Sequence, residues 1–146
     1  MVTLKNPKDL AKYVNQMIQD SLVTDVSKKL VKVAENRTQK DVYDVYTPKE
    51  YSRSGELKES FEVKEIPNGI EIENTRKDGN REIDEIIEYG HDKSTQGYEY
   101  PAYYPGGENF MQPRPFIANT RQQILQENIH ADELKKSLRK KGLDVE

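Results

Sequence analysis

Asp84, Glu85, Glu88, His91 and Asp92 place four carboxylates and an imidazole in one short stretch. Oxygen-rich groups at this density can hold a hard divalent cation, or act as a general acid and base pair. Asp84, Glu88 and His91 would be the working set of a small metal-dependent enzyme. Against that reading, only 2 histidines occur in the chain, and no second ligand motif accompanies the stretch. Its carboxylates fit better as the solvated face of a strand. His130, beside Asp132 and Glu133, reads as a surface residue of a helix. With 0 cysteines, disulfides, thiolate metal sites and cysteine nucleophiles are excluded. The sequence contains no Ser-His-Asp arrangement, Gly-rich phosphate loop or Gly-x-Ser-x-Gly elbow. The expectation is therefore a protein that is not an enzyme and carries no cofactor or metal.

A different chemistry stands out between Glu88-Tyr89-Gly90 and Pro113-Arg114-Pro115-Phe116. This glycine- and proline-rich stretch holds Tyr98, Tyr100, Tyr103, Tyr104 and Phe110 without apolar periodicity. Connections this long inside a compact domain are uncommon and are usually functional or disordered. Aromatic rings gain much by leaving water, so the stretch reads as an arm that docks on another protein surface. Arg53 and Arg114, set between glycine and proline punctuation, are candidate interface pins for a neighbour's carboxylates.

Composition agrees with a protein partly sheltered by others. The 146 residues suit a single domain, spanning 1–146. With 34% hydrophobic and 34% charged residues, the core should be thin and should leave apolar surface to cover. A net charge of -3 argues against a dedicated nucleic-acid binder, whose affinity rests on surplus Lys and Arg. The run from Lys135 to Lys141 is interleaved with Leu138 and suits the negative end of a helix better than a phosphate backbone. No signal-peptide pattern opens the sequence and no apolar run is long enough to span a membrane, so the expectation is a soluble protein made in the cytoplasm.

The elements that must position these residues follow from periodicity. Asn6-Pro7 reads as a cap and first helical position. Leu10, Val14, Met17, Ile18, Leu22, Val26, Leu30 and Val33 then predict one amphipathic helix over 7–36, about 45 Å long, with one end protruding. A sheet of about four antiparallel strands is expected over 41–89. Its strands are 41–47, the pair 57–66 and 70–74 around Pro67-Asn68-Gly69, and 83–89 after an Asp78-Gly79 turn. In the last strand Ile83, Ile87 and Tyr89 would share one face, with Asp84, Ile86 and Glu88 on the other. An extended loop over 90–113 leads to a helix over 115–141 that stops at Gly142. The fold class is α+β, with the C-terminal helix packed on the sheet.

Within this frame Gly55 should supply a positive φ, with Ser54 or Ser60 capping amides at the bend. Leu57 and Phe61 should anchor the hairpin, and Gly90 should release the last strand. Pro113 and Pro115 should stiffen a segment that aims Phe116 inward and Arg114 outward.

Three signatures occur in order: Tyr51-Ser52-Arg53-Ser54-Gly55-Glu56-Leu57-Lys58-Glu59-Ser60, Ile87-Glu88-Tyr89-Gly90, and Pro113-Arg114-Pro115-Phe116-Ile117. With the long first helix, over roughly residues 7 to 141, they resemble the tail-completion or head–tail joining proteins of tailed bacteriophages and prophages. The insertion Gln96 to Gln112 is longer than that pattern has. The resemblance implies a structural virion protein of the neck, assembled in the bacterial cytoplasm into a homo-oligomeric ring, a hexamer. Its partners would be adjacent neck and tail proteins (connector or stopper, tail terminator or tube) and DNA passing without sequence-specific binding. Glu62, Glu71, Glu73, Asp84 and Glu88 would then face the lumen and repel phosphates. A nucleic-acid-binding or toxin-like accessory protein of a mobile element is an alternative of a different class.

Overall fold

The computed structural model describes residues 4–45, 54–90 and 113–146. The chain begins as a helix because Asn6 accepts the Asp9 amide at 2.9 Å and Pro7 occupies the first turn. Helix α1 covers Pro7–Ser21 and α2 covers Ser27–Thr38, joined by a π-helical turn at Leu22–Val26. The wider turn has a packing consequence. It lets Ser21 and Val26, five apart, stay on the buried side, where an uninterrupted α-helix would turn one of them away. The buried hydroxyls of Ser27 and Thr38 donate to carbonyls four residues back, so they bring no unpaired polar group into the interior.

The first correction comes at the end of this helix. Residues 41–43 are not a strand: a second π turn, Gln39–Tyr43, carries the helical course onward. Ala34, Thr38 and Val42 are buried at four-residue spacing, so the helical stripe continues through a run whose residue types favour strands. Arg37 locks this end with a two-pronged pair to Asp41, at 3.0 and 2.8 Å.

After a short helix α3 (Glu56–Glu59), strands β1 (Phe61–Ile66) and β2 (Gly69–Asn74) pair antiparallel, Val63 opposite Ile72. Asn68 takes a positive φ of 57° in the connecting turn, as its sequence promises. A second two-stranded ribbon pairs β3 (Lys77–Asp78) with β4 (Arg81–Glu82) around a positive-φ Gly79. The expected sheet of about four strands is therefore two separate pairs among the described residues.

The next segment is helix α4 (Ile83–Tyr89), not a strand. Ile83, Ile86 and Ile87 lie three and four apart, a spacing that serves a helix as well as an alternating pattern serves a strand. The C-terminal helix is broken into α5 (Phe116–Gln126) and α6 (Ile129–Lys140) by Asn128, at φ 54°. Gly142 ends α6 as expected, with the Leu143 amide returning to the Leu138 carbonyl at 3.0 Å.

The architecture is α+β. Helix α5 packs mainly on α2, and α6 on α1, α2 and the π turn between them. Small buried residues (Ser21, Ser27, Ala34 and Ser137) permit that approach. The hairpin β1–β2 also rests on α2. The expected packing of the C-terminal helix on the sheet is seen only where Phe116 of α5 meets Phe61 of β1; beyond that contact both lean on the first helix, with a groove between them.

Candidate functional site

The three sequence signatures meet in space. Leu57 and Phe116 are buried with Val42, and Tyr43, Phe61, Ile83 and Ile87 pack around them. Phe116 is wholly enclosed, and Phe61 meets it edge to face with ring centres 6.4 Å apart. Gly55, at φ 80°, turns the chain into α3, and the Ser54 hydroxyl accepts the Glu56 amide at 3.3 Å. The Ser60 hydroxyl instead donates to the Glu56 carbonyl. The expected anchoring of Leu57 and Phe61 thus holds, whereas Val63 stays 39% exposed.

The second and third signatures are bound to each other. Gly90, at φ 83°, ends α4. The Arg114 amide donates to the Ile87 carbonyl at 2.8 Å, and Glu88 reaches the first turn of α5. Its two carboxylate oxygens accept the amides of Ile117 at 2.8 Å and Ala118 at 2.9 Å. A helix start leaves such amides without intrahelical acceptors and concentrates positive potential there. Pro115, at the cap position, has no side-chain acceptor, so a carboxylate from another element does that work. Glu88 is only 5% exposed. It is thus a buried clamp, and its expected place on an outward, lumen-lining face is overturned. Each of its two oxygens thus accepts one backbone amide.

The clamp holds together the described residues on either side of 91–112. Tyr98, Tyr100, Tyr103, Tyr104 and Phe110 lie outside the described residues, as do Arg53, His91 and Asp92. Tyr89 is 61% exposed beside the clamp, on no shared face with Ile83 and Ile87, because α4 is helical. Arg114 is half-buried and has a partner, and Pro113 and Pro115 are exposed. Of the other acidic residues, Glu62 and Glu71 are exposed, and Glu73 pairs with Lys64 across the hairpin. Asp84 is half-buried, and burial raises its pKa above the ordinary 3.8, partly opposed by backbone amides at Glu85 and its own position. Among the described residues no cluster of three or more His, Cys, Asp or Glu is arranged to hold a metal ion.

The sequence reading missed two features. One is the Glu88 clamp, whose only trace is a helix opened by Pro-Arg-Pro with no polar cap. The other is the groove between the hairpin and α5, about 390 Å³, lined by Leu30, Phe61, Ile70, Ile72, Ile117 and Leu125 among others. Its polar margin comes from Thr120, Arg121 and His130. Leu125 is 57% exposed and Ile117 38%, so the groove opens to water.

Comparison with known proteins places this arrangement in a family. The sequence model of YomN matches residues 6–140. The chain belongs to the YomN family. It is 32% identical to the SPbeta prophage-derived protein YomN of Bacillus subtilis (strain 168), over 97% of this chain and 99% of that one. The matched range, 6–140, spans α1 through α6. No solved structure matches the chain. No helix among the described residues is long and apolar enough to cross a membrane.

Proposed function

We propose that this YomN-family protein is a structural component of a prophage-encoded particle, assembling with copies of itself into a ring at the joint between head and tail. The prophage origin of the relative supports the setting. The observation that carries the reading is the Glu88 clamp. A buried carboxylate, a buried phenylalanine and a backbone hydrogen bond fix both ends of an aromatic segment to the core. Anchoring of this kind suits a segment whose middle grips a neighbour, because it limits the ordering cost to the residues that make contact. The outward carboxylates Glu62 and Glu71 would keep passing DNA from adhering, whereas Glu88 takes no part in such a lining.

The test is a deletion of the gene from an inducible prophage, followed by electron microscopy of the lysate. Separate heads and tails, rejoined when the purified protein is added, are expected. Intact particles in normal yield without the protein would overturn the proposal.

A further inference from the structure

We infer that the groove between the hairpin and α5 receives residues 96–112 of a second copy of this chain. The inference rests on the ring reading above and names the surface through which the ring would be held. The groove is apolar and open, and its volume of about 390 Å³ falls within the roughly 300–1,000 Å³ typical of sites that enclose a guest. Its margin carries Arg121 and His130, with no carboxylate among the described residues that line it.

Two parts of the chain offer apolar groups to fill it. The start of α1 exposes Leu10 and Tyr13, but Lys5, Lys8 and Lys12 surround them and would meet Arg121 with like charge. Residues 96–112 carry Tyr98, Tyr100, Tyr103, Tyr104 and Phe110 together with Glu99 and Glu108, and no Lys or Arg. Aromatic groups with acidic neighbours complement an apolar groove with a basic margin. Charge decides for the second.

Placement along the chain decides between the same copy and another. Ile117, the groove residue nearest in sequence, lies just beyond the Pro113 anchor, so a segment serving its own groove would carry its aromatics beside that anchor. Phe110 alone lies beside that anchor; the four tyrosines from Tyr98 to Tyr104 sit near the middle of 91–112, farthest in sequence from both flanks. Half of that segment, fully extended, spans about 36 Å, enough to reach an adjoining subunit.

The absence of cysteine makes a direct test available in the full chain. Single variants Tyr103→Cys and Leu125→Cys are mixed, oxidised slowly and followed by non-reducing electrophoresis, with Lys12→Cys as the control partner. The mixed disulfide of Tyr103→Cys with Leu125→Cys should form on the order of tenfold faster than with the control, the effect of a raised local concentration. Equal rates would overturn the inference. So would a double variant that closes only within one chain while the mixed pair stays unlinked. Sedimentation of the unaltered chain separates the two readings. A discrete oligomer whose mass survives Leu125→Glu, with equal crosslinking rates, would remove the groove assignment and leave the ring. A chain that stays monomeric at every concentration would remove both.

Discussion

Replacing Glu88 by alanine tests the clamp most directly. The carboxylate is 5% exposed and accepts two amides at 2.8 and 2.9 Å from the first turn of α5. A hydrogen bond to a charged group contributes about 1.5–3 kcal/mol, and a buried donor left without a partner costs about 1–3 kcal/mol. Water that enters the vacated space can satisfy part of this loss. The expected cost is therefore about 3–4 kcal/mol, read as a lower urea midpoint at unchanged slope. In a chain of this size it corresponds to a fall in Tm of roughly 10 °C. Glu88→Gln keeps a carbonyl acceptor but loses the charge that favours a helix N-terminus, so it should cost about half as much. Melts followed by circular dichroism at dilute protein keep self-association from masking the effect. A Glu88→Ala change below about 1 kcal/mol, or alanine and glutamine variants equal in stability, would refute the capping role.

Three further outcomes follow from the same structure. Phe116→Ala removes the fully enclosed ring of the central cluster and should cost about 3–5 kcal/mol in urea unfolding, enough to leave much of the chain unfolded at 37 °C. Asp41→Ala should cost about 1–3 kcal/mol, because it strands Arg37 and also frees Asn119, whose amide donates to Asp41 at 3.0 Å; Asn119→Ala alone should cost less. Asp84 has its folded-state pKa raised by burial, so its ionised form opposes folding above that value, and the opposition fades as pH falls through it. Asp84→Asn should accordingly be more stable than the parent at pH 7, and the two melting temperatures should converge on acidification toward pH 3.8 and below.

Where one strong local rule governed a segment, the sequence announced the outcome. Asn6-Pro7 opened α1, Asn68 turned the hairpin, Gly55 took a positive φ, and Gly142 closed α6. Leu57, Phe61 and Phe116 went to the core because nothing polar competed for those positions. The failures came from short apolar runs in which two periods fit equally well. Val42 and Tyr43 continue a helical stripe, and Ile83, Ile86 and Ile87 serve a helix although isoleucine prefers strands. Glu88 shows a different limit. As a strand residue it would face water, but as a helical residue beside Pro115 it meets unpaired amides, and that pairing exists only once α4 and α5 are adjacent. The groove was hidden for the same reason: it is a relation between two elements that each lean on α2.

That relation bears on whether the groove is a packing defect that a small shift could close. Beyond the Phe61–Phe116 contact at its start, the hairpin is fixed at both ends without help from α5. Gln19 of α1 donates to the Gly69 carbonyl at 2.9 Å, and the buried Asn74 amide donates to the Leu57 carbonyl at 2.6 Å. Helix α5 is fixed without help from the hairpin strands' outer half, through Glu88 at its first turn and the Asp41–Asn119 contact to the π turn that follows α2. Drawing the two walls together would break one of these sets, several hydrogen bonds with partly or wholly buried groups, to recover a few half-covered isoleucine and leucine faces. Each such bond left unmade costs about 1–3 kcal/mol, whereas covering the remaining half of one aliphatic side chain returns about 1 kcal/mol. The balance holds the walls apart, so the apolar cleft persists in the folded protein and stays open to the proposed guest.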